Sequence, residues 1–183
     1  VTDGGVVVLR CENLVLQQGA FSLCADVVFA RGKVVALIGP SGAGKSTLLA
    51  GLGGFLAPVS GRVIIDDVDV TGAAPGQRPI SMLFQDNNLF PHLTVVQNVG
   101  LGLRPDLRLT VAQQEQVTAA LAEVGLAGLG DRSPAALSGG QQSRVALARV
   151  LVANRPVVLL DEPFSALGPA LKDEMLDLVK SKL

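Results

Sequence analysis

The chain has no tryptophan, no tyrosine and a single histidine, His92. Its two cysteines, Cys11 and Cys24, lack CxxC spacing and stand far from that histidine, so a clustered transition-metal site is not expected. Both read instead as buried free thiols in an apolar N-terminal region. No clean apolar run approaches the ~18 residues needed to span a bilayer. No basic segment followed by an apolar core opens the chain, so no secretory signal is expected. Charged residues make up only 17% and sum to a net charge of −1, which argues against a broad nucleic-acid surface. The expectation is a soluble, cytosolic protein that reaches a membrane only through a partner. Against these absences, 49% of the 183 residues are hydrophobic, enough for a sizeable core.

What is present begins with Gly39, Pro40, Ser41, Gly42, Ala43, Gly44, Lys45, Ser46 and Thr47. They read G-x-x-x-x-G-K-S, between an apolar run at 34–38 and a helix-like stretch at 47–52. That is the strand–loop–helix setting of a phosphate-binding loop. Glycines let successive N–H groups face inward around an anion, and the following helix points its positive end there. Lys45 adds a full charge for the β- and γ-phosphates, and the Ser46 hydroxyl suits Mg²⁺.

Short strands flank this loop. The pattern predicts them at 6–9, 14–16, 21–29, 34–38, 63–65, 68–70 and 80–84, the early ones as an antiparallel sheet, with turns at Arg31-Gly32-Lys33 and Ser60-Gly61. From Asp86 the character changes. A short helix is expected at 94–101. Thr110 with Gln113 forms a capping box before a helix whose face carries Val117, Ala120, Leu121 and Val124, and Gly125 ends it. Ser138 with Gln141 caps a second helix, stopped by Asn154, Arg155 and Pro156. Residues 157–160 form a continuous aliphatic strand of the kind covered on both faces, and 170–183 an amphipathic helix. The organisation is a core at 1–85, a helical insert at 86–153 and core again at 154–183.

The aliphatic strand ends in Asp161 and Glu162, a Walker B pattern. Asp161 can share a Mg²⁺ with Ser46, and Glu162 can polarise a water for in-line attack on a γ-phosphate. Ser138 and the N–H groups of Gly139 and Gly140 make a second anion site at a helix N-terminus, with an ordinary helix cap as the alternative. One nucleotide does not need two such sites in one chain, so the second serves the nucleotide of another copy.

In order and spacing, the loop at 39–47, Gln85 after a strand, Leu137-Ser138-Gly139-Gly140-Gln141, the Walker B run and Ser165-Ala166-Leu167 resemble the ATP-binding subunits of ABC transporters. The resemblance implies an α/β fold: a P-loop NTPase (RecA-like) core with an N-terminal antiparallel β subdomain and a helical insert carrying the LSGGQ signature. It implies ATP and Mg²⁺ held in a head-to-tail dimer, with Ser138, Gly139, Gly140 and Gln141 of each copy facing the P-loop of the other. Glu162 would be the general base, with Lys45 and Gln85 beside it at the reacting phosphate. Ser46, Gln85 and Asp161 would hold the metal. Transmembrane permease subunits would dock on the 86–98 region at the cytoplasmic face of the membrane, with a periplasmic binding protein acting indirectly. The finer resemblance is to the bacterial importer branch, most of all its thiamine importers. It rests on 81–85, Asn87 to Phe90, His92 to Val95, Gln97-Asn98 and 100–103. Polyamine, iron(III), sulfate and sugar importers remain alternatives.

Some positions depart from the family. Its switch histidine would lie beyond Leu183, and His92 is not that residue. Its absence should hurt hydrolysis far more than binding, and with no aromatic to stack on adenine these 183 residues alone should bind nucleotide weakly and hydrolyse it slowly or not at all. Gly168 stands where the D-loop usually has Asp. No aromatic occurs at 16–18 to stack on adenine, which leaves Phe21 as the nearest candidate. Gln142-Ser143-Arg144 replaces the more usual Arg-Gln-Arg. These departures keep a second reading open, a non-hydrolysing nucleotide-binding regulator or inactive partner subunit. The intact Lys45, Ser46, Asp161 and Glu162 argue against it.

Overall fold

The computed structural model describes residues 7–84, 86, 88–164 and 167–182. It divides into two compact units. Among the described residues, the first comprises those of 7–80 and 155–159, and the second those of 81–154 and 160–182.

In the first unit, β1 (Val7–Gln18) is the hub of a four-stranded sheet ordered β2-β1-β3-β4. It pairs antiparallel with β2 (Phe21–Ala30) on one side and β3 (Ser60–Ile65) on the other, and β4 (Val68–Asp69) closes the far edge. The pattern predicts two strands where β1 is one. The register shifts after Cys11 against β2 and after Glu12 against β3, and Asn13 there has φ 47°. A polar residue that tolerates the left-handed region makes a bulge, which lets the chain pass through an apparent break without leaving the sheet. Ser60 and Gly61 likewise belong to β3 rather than to a free turn. Gly61 has φ 82°, and a side chain there would lie 2.2 Å from the Asn13 carbonyl oxygen, so the bulge requires glycine opposite it.

Helix α1 (Lys45–Gly53) packs on this sheet. Gly51 lies against Leu16, and Leu14, Leu16, Leu52, Val63 and Ile65 are 0–1% exposed. Burying each such side chain is worth about 1.5–3 kcal/mol. The C-terminal end of α1 is sealed by Arg78, itself only 2% exposed. Its guanidinium donates to the carbonyls of Gly51, Leu52, Thr71 and Ala73 at 2.7–3.0 Å. A cation is well placed against the last carbonyls of a helix. Burial lowers its pKa, and Asp69 acts in the opposite direction.

Two further expectations fail in this unit. Residues 34–38 are not a strand, and no described strand pairs with them. Val34 is 67% exposed and Ile38 94%. An apolar run becomes a buried strand only where neighbours supply hydrogen bonds and cover its faces, which its own periodicity cannot provide. Cys24 is exposed, not buried, because its side chain falls on the outward-facing set of the edge strand β2. Cys11, on the central strand, is buried, and burial next to Asp26 pushes its thiol pKa up to about 11.

In the second unit, α2 (Val95–Gly100), α3 (Val111–Glu123) and α4 (Gly139–Ala153) enclose one core. It contains Val95, Val99, Val117, Ala120, Leu121, Val124, Leu126, Leu137, Val145 and Ala148. The anticipated face of α3 is the buried one. The three N-caps are reciprocal boxes, Thr94 with Gln97, Thr110 with Gln113 and Ser138 with Gln141. Two further strands are β5 (Ile80–Leu83), mostly in this unit, and β6 (Val157–Leu160), mostly in the first. Burial alternates along β6 between buried and half-buried, so it is covered better on one face than the other, contrary to the two-sided cover expected. Helix α5 (Pro169–Lys182) buries Met175 and Val179.

Candidate functional site

In the first unit, residues 39–44 turn tightly into α1. The Ala43 N–H donates to the Pro40 carbonyl at 3.2 Å, and Leu48 N–H to Gly44 at 2.8 Å. Gly42 and Gly44 have φ 79° and 91°, a region that side chains other than glycine rarely enter. Lys45 folds its ammonium back over the loop, donating to the carbonyls of Gly39 and Pro40, both at 2.9 Å. An ammonium has three N–H donors, so one remains for an anion while the loop holds the stem in place. No acidic residue lies in the first turn of α1, so its dipole is not offset there. Pro40, Ser41, Ser46 and Thr47 belong to the same continuous turn and first helical turn.

Two neighbours of this loop bear on the missing aromatic. A Cβ on Gly44 would lie 2.7 Å from Phe21 Cζ and from Leu23 Cδ1. The Phe21 ring therefore rests directly on the loop while remaining 38% exposed. Gln18, where the resemblance leads one to expect an aromatic, instead accepts a 3.4 Å hydrogen bond from the Thr47 hydroxyl. Sequence reading missed that contact, and only the run of a polar pair, Gln17-Gln18, signalled it.

In the second unit, the signature segment is held from several sides. Ser138 Oγ accepts from Gln141 N–H at 3.3 Å, and Gln141 Oε1 accepts from Ser138 N–H at 2.9 Å. The hydroxyl oxygen is thereby engaged as an acceptor, while its proton can still be donated outward. Gln142, a departure from the family pattern, donates to the carbonyls of Pro134 (3.1 Å) and Leu137 (3.3 Å) and so fixes the turn that precedes the signature. Arg144 donates to the Val124 carbonyl at 3.2 Å. A side chain at Gly140 would meet Leu167 and Leu171 at 3.2 and 3.3 Å, whereas Gly139 faces open space.

Asp161 follows β6, and its N–H donates to the Leu83 carbonyl at 2.9 Å. This bond brings the acid at the end of one strand beside the end of the other, two positions before Gln85. Gln85, Asn87, Ser165 and Ala166 lie outside the described residues, so the placement expected for Gln85 is not available there. Glu162 is exposed and has φ 44°, an unusual backbone for a non-glycine residue and one that turns the chain sharply after Asp161. Ser46, Asp161 and Gln85, the metal ligands expected from the sequence, each carry an oxygen donor, the chemistry a hard cation such as Mg²⁺ takes. Among the described residues there is no cluster of three or more His, Cys, Asp or Glu side chains able to hold a metal by themselves. His92 stacks edge-on against Phe90, ring centroids 5.9 Å apart at 76°, in the loop before α2.

The ABC transporter family model matches residues 25–165. The chain is 55% identical over 171 residues to the thiamine import ATP-binding protein ThiQ of Cereibacter sphaeroides, covering 93% of this chain and 74% of that protein. It is 58% identical over 172 residues to ThiQ of Ruegeria sp., covering 94% and 74%. To ThiQ of Escherichia coli strain UTI89 it is 61% identical over 161 residues, covering 88% and 68%. Among solved structures, an ATP-binding cassette of an ABC transporter matches with a TM-score of 0.85 at 29% identity, over 97% of this chain and 78% of that one. A dimeric cassette in a post-hydrolysis state, bound to ADP and Pi, matches with a TM-score of 0.79 at 30% identity, over 93% and 81%.

Proposed function

Because this chain belongs to the ABC transporter family, as one of its ATP-binding subunits, we propose that it binds and hydrolyses ATP to energise uptake of thiamine. The observation that carries the cargo is identity of 55% to 61% with proteins named for thiamine import, over most of the chain. The P-loop, signature and Walker B residues, in family order, carry the ATP chemistry.

In this reading the amides of 39–44 and the third N–H of Lys45 take the β- and γ-phosphates. Because two of the Lys45 donors are already committed to loop carbonyls, the ammonium is positioned before nucleotide arrives and little side-chain entropy is lost on binding. Mg²⁺, held by Ser46, Gln85 and Asp161, would neutralise charge on the phosphate oxygens. Glu162 takes the proton of the attacking water. Ser138, Gly139, Gly140 and Gln141 donate to the nucleotide of a second copy, as supported by the Ser138 hydroxyl, whose oxygen accepts from Gln141 N–H and whose proton is left to donate, and by the dimeric relative bound to ADP and Pi. The same reading keeps the division into core 1–85, helical insert 86–153 and core 154–183. It places the 86–98 segment against transmembrane permease subunits on the cytoplasmic face, with a periplasmic binding protein delivering cargo to the permease. Among the described residues no helix is long and apolar enough to cross a membrane, which suits a peripheral subunit.

The test is uptake by the complete importer in proteoliposomes. Labelled thiamine should enter with ATP and not without it, while putrescine, iron(III), sulfate and maltose should not. Uptake of one of these in place of thiamine would reassign the cargo and leave the ATPase reading intact.

A further inference from the structure

The segment assigned above to the permease contact is built around one buried side chain that no catalytic or nucleotide role uses. Asn98 is 0% exposed. Its Oδ1 accepts the Phe90 N–H at 2.8 Å. Its Nδ2 donates to the carbonyls of Phe90 (3.0 Å), Leu93 (3.2 Å) and Thr94 (3.0 Å). One amide thus meets the loop at both ends of the Phe90-Pro91-His92-Leu93 turn, which also closes on itself through Leu93 N–H to the Phe90 carbonyl at 3.2 Å. Pro91 presets φ inside that turn. The far side is fixed too. The N–H groups of Val95 and Val96 donate to the carbonyls of Arg132 and Gly130, and Arg149 of α4 donates to the Asn88 carbonyl at 2.9 Å. The result is an exposed ring, Phe90 at 46%, edge-on to His92, on a loop whose backbone is held from within.

We propose that Asn98 is a positioning residue for permease docking, holding the 90–94 turn in its bound shape so that the Phe90–His92 pair meets the permease preformed. The proposal rests on the reading that this segment contacts the permease. Its physical basis is preorganisation: a loop ordered before association does not lose its backbone freedom at the moment of binding. A bland structural role predicts something else, namely a general loss of stability and activity together.

The experiment uses the full-length subunit with its permease. Asn98→Asp keeps the size and the acceptor but replaces the Nδ2 donors with oxygen, and Asn98→Ala removes both. Each should weaken assembly by roughly tenfold or more and lower thiamine taken up per ATP hydrolysed. Faster hydrogen exchange at the Phe90 amide should accompany the Asn98→Ala change, and ATPase of the free subunit should stay near wild type. Phe90→Ala with His92→Ala serves as the control for the docking surface itself. If that double variant weakens assembly while both Asn98 variants assemble normally, the positioning role is overturned and the docking surface stands. If the double variant also assembles normally, the docking surface itself is wrong. If the Asn98 variants lose folding, free-subunit ATPase and assembly in parallel, Asn98 is a residue of the fold alone and the proposal fails.

Discussion

At the scale of single residues, the strongest claims concern charge and proton transfer at the phosphate. Lys45→Ala removes a charge-assisted contact worth about 1.5–3 kcal/mol. Nucleotide affinity, measured by calorimetry, should fall roughly 10- to 100-fold, with the melting temperature of the nucleotide-free protein little changed. Glu162→Gln should lower ATP hydrolysis by about 10²–10⁴-fold without a matching loss of ATP binding. Turnover that survived it would remove Glu162 as the base. The cysteines give a test independent of nucleotide. Burial keeps the Cys11 thiol protonated, with its pKa near 11, whereas Cys24 is exposed. A thiol reagent at pH 8 should label Cys24 rapidly in the native protein and Cys11 only on unfolding. Peptide mapping of the labelled protein would decide this. The same pair shows a limit of reading residues singly: an apolar neighbourhood predicts burial for both, but one lies on a central strand and the other on the outer face of an edge.

At the scale of elements, the parts legible in sequence are those whose chemistry is local. The capping boxes at Thr110 and Ser138 are visible because cap and partner lie three residues apart, and the buried face of α3 because its period is its own. Long-range partners are not visible in this way. Asn13 hides a bulge that joins two apparent strands into β1, and the apolar run at 34–38 looks like a strand but lacks a described neighbour to pair with. Arg78 is the clearest case. Nothing local marks it as the side chain that seals α1, because its acceptors at Gly51 and Leu52 lie 27 and 26 positions earlier. Arg78→Met should therefore destabilise the fold by about 3 kcal/mol or more, since several buried carbonyls lose their donor. Urea denaturation would measure the loss. A cost under about 0.5 kcal/mol, the range of ordinary surface changes, would contradict the structural role assigned to Arg78.

At the scale of the whole molecule, the proposed reading makes the P-loop half of a nucleotide site and the signature half of another. Motif order is what suggests it, because phosphate chemistry demands glycine, lysine, hydroxyl and carboxylate at set places along the chain. The clamp of Gln142 on the signature turn and the amide core of the 90–94 loop were not legible, since each joins positions that no motif connects. If each site needs both halves, Glu162→Gln protein given ATP and Mg²⁺ should form a dimer that light scattering detects, and Ser138→Arg should abolish it by placing bulk and charge at the partner's nucleotide. The central claim, an ATPase that drives thiamine import, is tested most directly by ATP hydrolysis in the reconstituted importer with its binding protein, with and without thiamine. Thiamine should raise hydrolysis in the wild type, and Glu162→Gln should abolish both hydrolysis and uptake. Hydrolysis indifferent to thiamine, or unchanged by Glu162→Gln, would contradict the account.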